Sequence, residues 1–163
     1  MWRIESHDEP RNARLASNLI TSWKPGSIYF VVGIVQHGRS GVILNTASTG
    51  GSTGYPHYAD YNASKGGVIA LTRSLALELA PVVRVNAVSP GYVLTLMQRA
   101  EYSDAMLEAV NRKIPFGRHA RPEEIAALFA FLASEDAGFA TGHVYVMDGA
   151  ETAGGLCSQW THE

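Results

Sequence analysis

Tyr61 and Lys65 stand four residues apart in YNASKGGVIALTRSLALELAP, a segment with helical periodicity. On a helix, that spacing puts both side chains on one face, a turn apart. A tyrosine hydroxyl ordinarily titrates near pH ~10, which makes it a poor acid–base catalyst at neutral pH. A lysine ammonium beside it favours the phenolate, and the pair can then exchange a proton with an alcohol or a carbonyl. With seven tyrosines and three lysines in 163 residues, about 0.1 such pairs arise by chance, so the pair alone is weak evidence. Ser48 lies thirteen residues before Tyr61, just past the apolar run Val42 to Asn45, with Ser52 as its nearest competitor. On its own Ser48 reads as a turn serine.

The elements around these residues alternate. Val42 to Asn45 has the signature of a short buried strand. The turn-rich stretch Thr46 to Pro56 follows, then a helix from about Tyr58 to Ala80, whose Val68, Leu71, Leu75 and Leu79 recur at three- and four-residue spacing. Pro81 stops it. Val82 to Val88 is strand-like and is broken by Ser89-Pro90-Gly91. Ser103 can cap a helix running to about Lys113. Pro122 starts the clearest helix, with Glu123 and Glu124 in its first turn and Ile125, Leu128, Phe129 and Leu132 as its buried stripe. His143 to Met147 closes the series as a strand. This order predicts an α/β fold with a parallel sheet and crossover helices. Residues 26–36 (GSIYFVVGIVQ) carry strand-like composition. Residues 1–24 read as a polar arm, 25–150 as one domain and 151–163 as a polar tail.

Composition narrows the classes. A chain of 163 residues, 46% hydrophobic and 17% charged, is ordinary for one globular domain. A net charge of -2 argues against nucleic acid and against an acidic membrane surface as partners. The longest apolar run, near Ser27 to Val35, is too short to span a bilayer. Cys157 is the single cysteine, so no internal disulfide can form and a cytoplasmic location is the default expectation.

The segments GVILNTAS, YNASKGGVIALTRSLALELAP, RVNAVSPGYVLT, IPFGR with RPEEIAALFAFLAS, and TGHVYVMDG occur in that order. In wording and order they resemble the short-chain dehydrogenase/reductase family from its serine strand to its last strand, over roughly 110 residues. The resemblance implies a Rossmann-like doubly wound parallel sheet and reversible hydride transfer between NAD or NADP and a small secondary alcohol or ketone. Residue by residue, it implies that Ser48 hydrogen-bonds the reacting oxygen and Tyr61 is the acid–base group. Lys65 then tunes Tyr61 and binds the nicotinamide ribose, and Tyr61 is itself also a cofactor-binding residue. Pro90, Gly91, Val93 and Thr95 hold the nicotinamide, with Thr95 at its carboxamide. From the residues alone, the competing reading of Thr95 is a helix cap after the proline-glycine turn, and Asn86 reads as structural, bonding backbone between strands. The resemblance also favours a helix over 26–36 and a homo-oligomer. No metal site is expected.

The sequence departs from the family pattern on its N-terminal side. No TGxxxGxG segment precedes residue 41, so the sheet is expected to be truncated there and the grip on the cofactor's adenosine end to be weak. Thr49 to Pro56 (TGGSTGYP) imitates that loop, but Pro56 replaces its last glycine and no strand ending in an acid follows. Asn18 lies too early to match the family's asparagine. The competing reading is a non-catalytic, family-derived interaction protein that associates through Val68, Ile69 and Leu77.

Overall fold

The computed structural model describes residues 40–154. The expected arm, the 26–36 helix, Asn18 and Cys157 lie outside the described residues. Strands β1 (Gly41–Thr46), β2 (Val83–Pro90) and β3 (Val144–Met147) form a parallel sheet in the order β1-β2-β3. Ile43 stands opposite Val85 and Val88 opposite Tyr145. Alternate residues along each strand face opposite sides. On one side Ile43, Val83 and Val85 pack against Leu75, Ala76 and Leu79 of helix α1 (Ala59–Leu79), with Ala47 and Ala87 against its Val68 and Ile69. On the other, Leu44, Val88, Tyr145 and Met147 meet Ile125 and Leu132 of helix α4 (Pro122–Ala133). Helices therefore cover both faces, which is why these strands read as near-continuous apolar runs.

The helix ends follow local chemistry. α1 stops at Leu79 because Ala80, which precedes Pro81, is extended. Helix α3 (Asp104–Asn111) is capped by Ser103, whose Oγ accepts the Met106 N–H. Pro122 opens α4, and the Glu124 carboxylate accepts the Arg121 N–H at 2.8 Å. Arg84 on β2 donates to the carbonyls of Leu132 and Ser134, satisfying the far end of α4. Asn86 bonds backbone as expected, donating to the Ala140 carbonyl at 2.6 Å and accepting the His143 N–H at 3.2 Å.

Two details differ from the sequence reading. β2 runs on through Ser89 and Pro90, because these residues pair with Val146 and Met147 of β3. Helix α2 (Leu96–Glu101) is an extra turn-and-a-half that the sequence did not announce: six residues are too few to show a period. Among the described residues, no helix is long and apolar enough to cross a membrane and no cluster of potential metal ligands occurs.

Candidate active site

β1 delivers the chain to Ser48 at the C-terminal edge of the sheet. Ser48 is extended (φ −163°, ψ 155°) and caps a single 3-10 turn, Thr49–Gly51, with its Oγ accepting the Gly50 N–H at 3.2 Å. It is thus a turn serine in fact. A hydroxyl carries one donor besides its lone pairs, so the capping bond leaves the Ser48 O–H available to a ligand oxygen. Ser52 lies past the turn, exposed, with its N–H closing on the Thr49 carbonyl at 2.9 Å.

Tyr61 sits in the first turn of α1 and is 43% exposed. The Lys65 Nζ lies 5.7 Å from the centre of the Tyr61 ring and donates to the Thr46 carbonyl at 3.0 Å. Lys65 therefore ties α1 to the end of β1, two residues before Ser48. Gly51 rests directly on the Lys65 peptide, where a Cβ would come within 2.7 Å of the carbonyl carbon. Gly50 is packed as tightly on Asn62 and Tyr55. Gly50 and Gly51 of TGGSTGYP serve this close approach of turn to helix. Ser48, Tyr61 and Lys65 are gathered at the carboxyl end of a parallel strand, where open α/β sheets place their ligands.

The loop after β2 forms the neighbouring wall. Gly91 N–H donates to the Met147 carbonyl at 3.1 Å, and Val93 makes a parallel bridge with Ala120. That bridge uses the Tyr92 carbonyl and the Leu94 N–H, and among the described residues the Val93 N–H meets no acceptor. Thr95 caps α2, its Oγ accepting the Gln98 N–H at 3.3 Å. The cap reading of Thr95 is therefore correct, and its O–H is left to donate elsewhere.

A family model described as enoyl-(acyl carrier protein) reductase matches residues 28–150. The chain belongs to the short-chain dehydrogenase/reductase family. Cyclohexanol dehydrogenase of Acinetobacter sp. is 41% identical over 128 residues, covering 78% of this chain and 49% of that protein. The 3-oxoacyl-(acyl-carrier-protein) reductase of Thermotoga maritima is 44% identical over 112 residues, covering 68% of this chain and 45% of its own. A crystal structure titled short-chain dehydrogenase/reductase, glucose/ribitol dehydrogenase, from Brucella melitensis superimposes with a TM-score of 0.63 at 37% identity, over 68% of this chain and 44% of that one. The fold is thus the family's Rossmann-like α/β sheet, and the family match begins earlier, at residue 28, than the motifs alone indicated. The chain spans about half the length of the curated relatives it matches.

The family's cofactor class is a nicotinamide dinucleotide, and the donors present fit its nicotinamide end. The Val93 N–H and Thr95 O–H suit a carboxamide, and Lys65 keeps two N–H donors, beyond the one given to Thr46, for ribose hydroxyls.

Four residues that the sequence reading passed over brace this site. Thr49 and Tyr55 share a 3.0 Å hydrogen bond, Tyr55 donates to Glu151 Oε1 at 2.7 Å, and Asn62 Nδ2 donates to the Tyr55 carbonyl at 3.0 Å. Burial, with the Glu151 charge adding to it, pushes the Tyr55 phenol above its usual range, and Tyr92 is raised for the same two reasons. One local signal was present: Asp148 can close an Asx-turn on the Ala150 N–H two residues on, and this turn presents Glu151, at the start of the segment read as a polar tail. Elsewhere, a cavity of about 250 Å³ lined by Tyr92, Phe116, Arg118 and Met147 includes none of the three candidate catalytic residues.

Proposed function

We propose that this chain carries the catalytic part of an NAD- or NADP-dependent oxidoreductase that interconverts a small secondary alcohol and its ketone. The observation that carries this reading is the position of Lys65, bonded to the Thr46 carbonyl at 3.0 Å and lying over the Tyr61 ring at 5.7 Å. It links the strand that leads to Ser48 to the helix that presents Tyr61. Bound nicotinamide supplies or accepts the hydride. In the reductive direction the Ser48 O–H donates a hydrogen bond to the ketone oxygen and the Tyr61 O–H gives it a proton; in the oxidative direction Tyr61 takes the alcohol proton back. Lys65 holds its ammonium beside the Tyr61 ring and binds the ribose. Pro90 and Gly91 turn the loop so that Val93 and Thr95 address the carboxamide.

A homo-oligomer in the cytoplasm is the state we propose for it. Leu77, 84% exposed on α1, offers an apolar contact, whereas Val68 and Ile69 are buried against the sheet. Two of the three residues expected to make a docking face are therefore core residues, which removes the main support for a purely interacting role.

The test is to titrate the purified chain with NADH and NADPH by cofactor fluorescence and to screen cyclic and acyclic secondary alcohols for turnover. Saturable binding, with turnover that Tyr61→Phe lowers by about 100-fold or more, supports the reading. No binding at millimolar cofactor rejects it for this chain.

A further inference from the structure

Glu151 joins two loops that are far apart in sequence. Its Oε1 accepts the Tyr55 O–H at 2.7 Å, across 96 residues. Through Tyr55 it reaches Thr49, the residue after Ser48, and through the Tyr55 carbonyl it reaches Asn62, the residue after Tyr61. Its Oε2 is buried without a hydrogen-bond partner and lies against Gly91, so close that a Cβ there would stand 2.9 Å away. Glu151 is itself fixed from below. Asp148 accepts the N–H groups of Ala150 and Thr152 and the Thr152 hydroxyl, at 3.0, 2.9 and 2.6 Å, which locks the turn that presents it. Gly91 touches the same turn at Asp148.

We propose that Glu151 is a positioning residue, a carboxylate strut that sets the Ser48 turn against the Gly91–Thr95 loop. The inference rests on the oxidoreductase reading above, in which the first of these loops holds the reacting oxygen and the second the nicotinamide. Hydride transfer needs the two held at near-contact geometry, and small displacements are costly. Leaving one carboxylate oxygen buried and unpartnered is unfavourable, and the contact it makes is with the loop itself. The high-lying Tyr55 phenol stays a donor to Glu151 through neutral and mildly alkaline pH.

The experiment compares amide hydrogen exchange and kinetics of the full chain with its Glu151→Ala, Glu151→Gln and Tyr55→Phe variants. The amides of Gly51, Ser52 and Thr53 report the serine turn, and those of Gly91 and Leu94 the other loop, since each is hydrogen-bonded. In Glu151→Ala both sets should exchange about 10-fold faster, and kcat should fall about 10- to 100-fold with a smaller change in KM. Glu151→Gln keeps an oxygen to accept the Tyr55 O–H, so it should stay within about 3-fold of the parent on both measures. Tyr55→Phe should loosen the serine turn alone. Faster exchange confined to residues 148–154, or a Gln variant as impaired as the Ala variant, overturns the proposal. If Glu151→Ala does not fold, Tyr55→Phe decides, and unchanged exchange in the serine turn then overturns it. If the parent chain shows no turnover, the functional reading fails while the exchange measurements still settle the strut.

Discussion

Thr95 is the residue at which two readings of the sequence meet, since it caps α2 through Gln98 and also stands in the loop matched to nicotinamide binding. The two roles separate by substitution. Thr95→Ala should lose about 1 kcal/mol of stability with the cap and also weaken cofactor binding. Thr95→Asn restores the cap, since asparagine caps as well as threonine, and should recover the melting temperature without recovering the affinity. Equal recovery of both would leave Thr95 as a cap and nothing more. Lys65→Met poses a second question at this scale. It keeps the aliphatic stem but removes both the bond to Thr46 and the charge over Tyr61, and should lower kcat/KM by about 100-fold or more in a hydride-transfer assay. The fold should persist, because the lysine side chain is only partly buried. Ser48, Tyr61 and Lys65 could be named as candidates because the family's segments stand around them in order; spacing alone left the pair weak and Ser48 a turn serine. Glu151 could not, because its partner lies 96 residues away and no local pattern records such a contact.

The elements were legible where caps and periodicity agreed. Pro122 with its two acids announced α4, Ser103 announced α3, and the four-residue rhythm of Val68 to Leu79 announced α1. What the sequence withheld was how tightly elements meet. The 3-10 turn after β1 lies so close to α1 that Gly51→Ala would drive a methyl into the Lys65 backbone, and backbone cannot swing aside as a side chain can. We expect a cost of about 1–3 kcal/mol in urea unfolding, together with displacement of Ser48. Gly54→Ala, with open space around it, should be neutral within about 0.5 kcal/mol. The start of α4 carries a pH signature. Arg118 donates both guanidinium nitrogens to Glu124 at 2.8 Å and the Arg121 N–H adds a third bond, which holds the Glu124 carboxyl down to about 2 from 4.5. A carboxylate depressed in the folded state stabilises it above the unfolded value, and that contribution is lost as pH falls through the folded one. Parent protein should therefore lose urea resistance between about pH 4.5 and 2. Glu124→Gln should start weaker at neutral pH and decline less across that window. Parallel curves for the two would remove this ion pair from the account of acid unfolding.

At the scale of the molecule, a parallel sheet covered on both faces directs its strand ends toward one edge, and Ser48, Lys65 and the Gly91–Thr95 loop all stand there. That much of the architecture followed from the alternation of strand and helix in the sequence. The register and the second-face packing did not, because Ile43 and Leu44 read alike as apolar residues although they face α1 and α4 respectively. The residues proposed to hold the cofactor have one further property in common. In that proposal Lys65 addresses the nicotinamide ribose, and Pro90, Gly91, Val93 and Thr95 the carboxamide, so the contacts named among the described residues lie at the nicotinamide end of the dinucleotide. Binding energy drawn from one end of a ligand is insensitive to removal of the other. The reduced mononucleotide should therefore bind this chain within about 10-fold of NADH, a difference of about 1.4 kcal/mol, and NADH and NADPH should bind alike, since the phosphate that distinguishes them sits on the adenosine ribose. Fluorescence titrations of the three measure this directly. NADH binding 100-fold more tightly than the mononucleotide would mean that this chain also grips the adenosine end, through residues other than those named here.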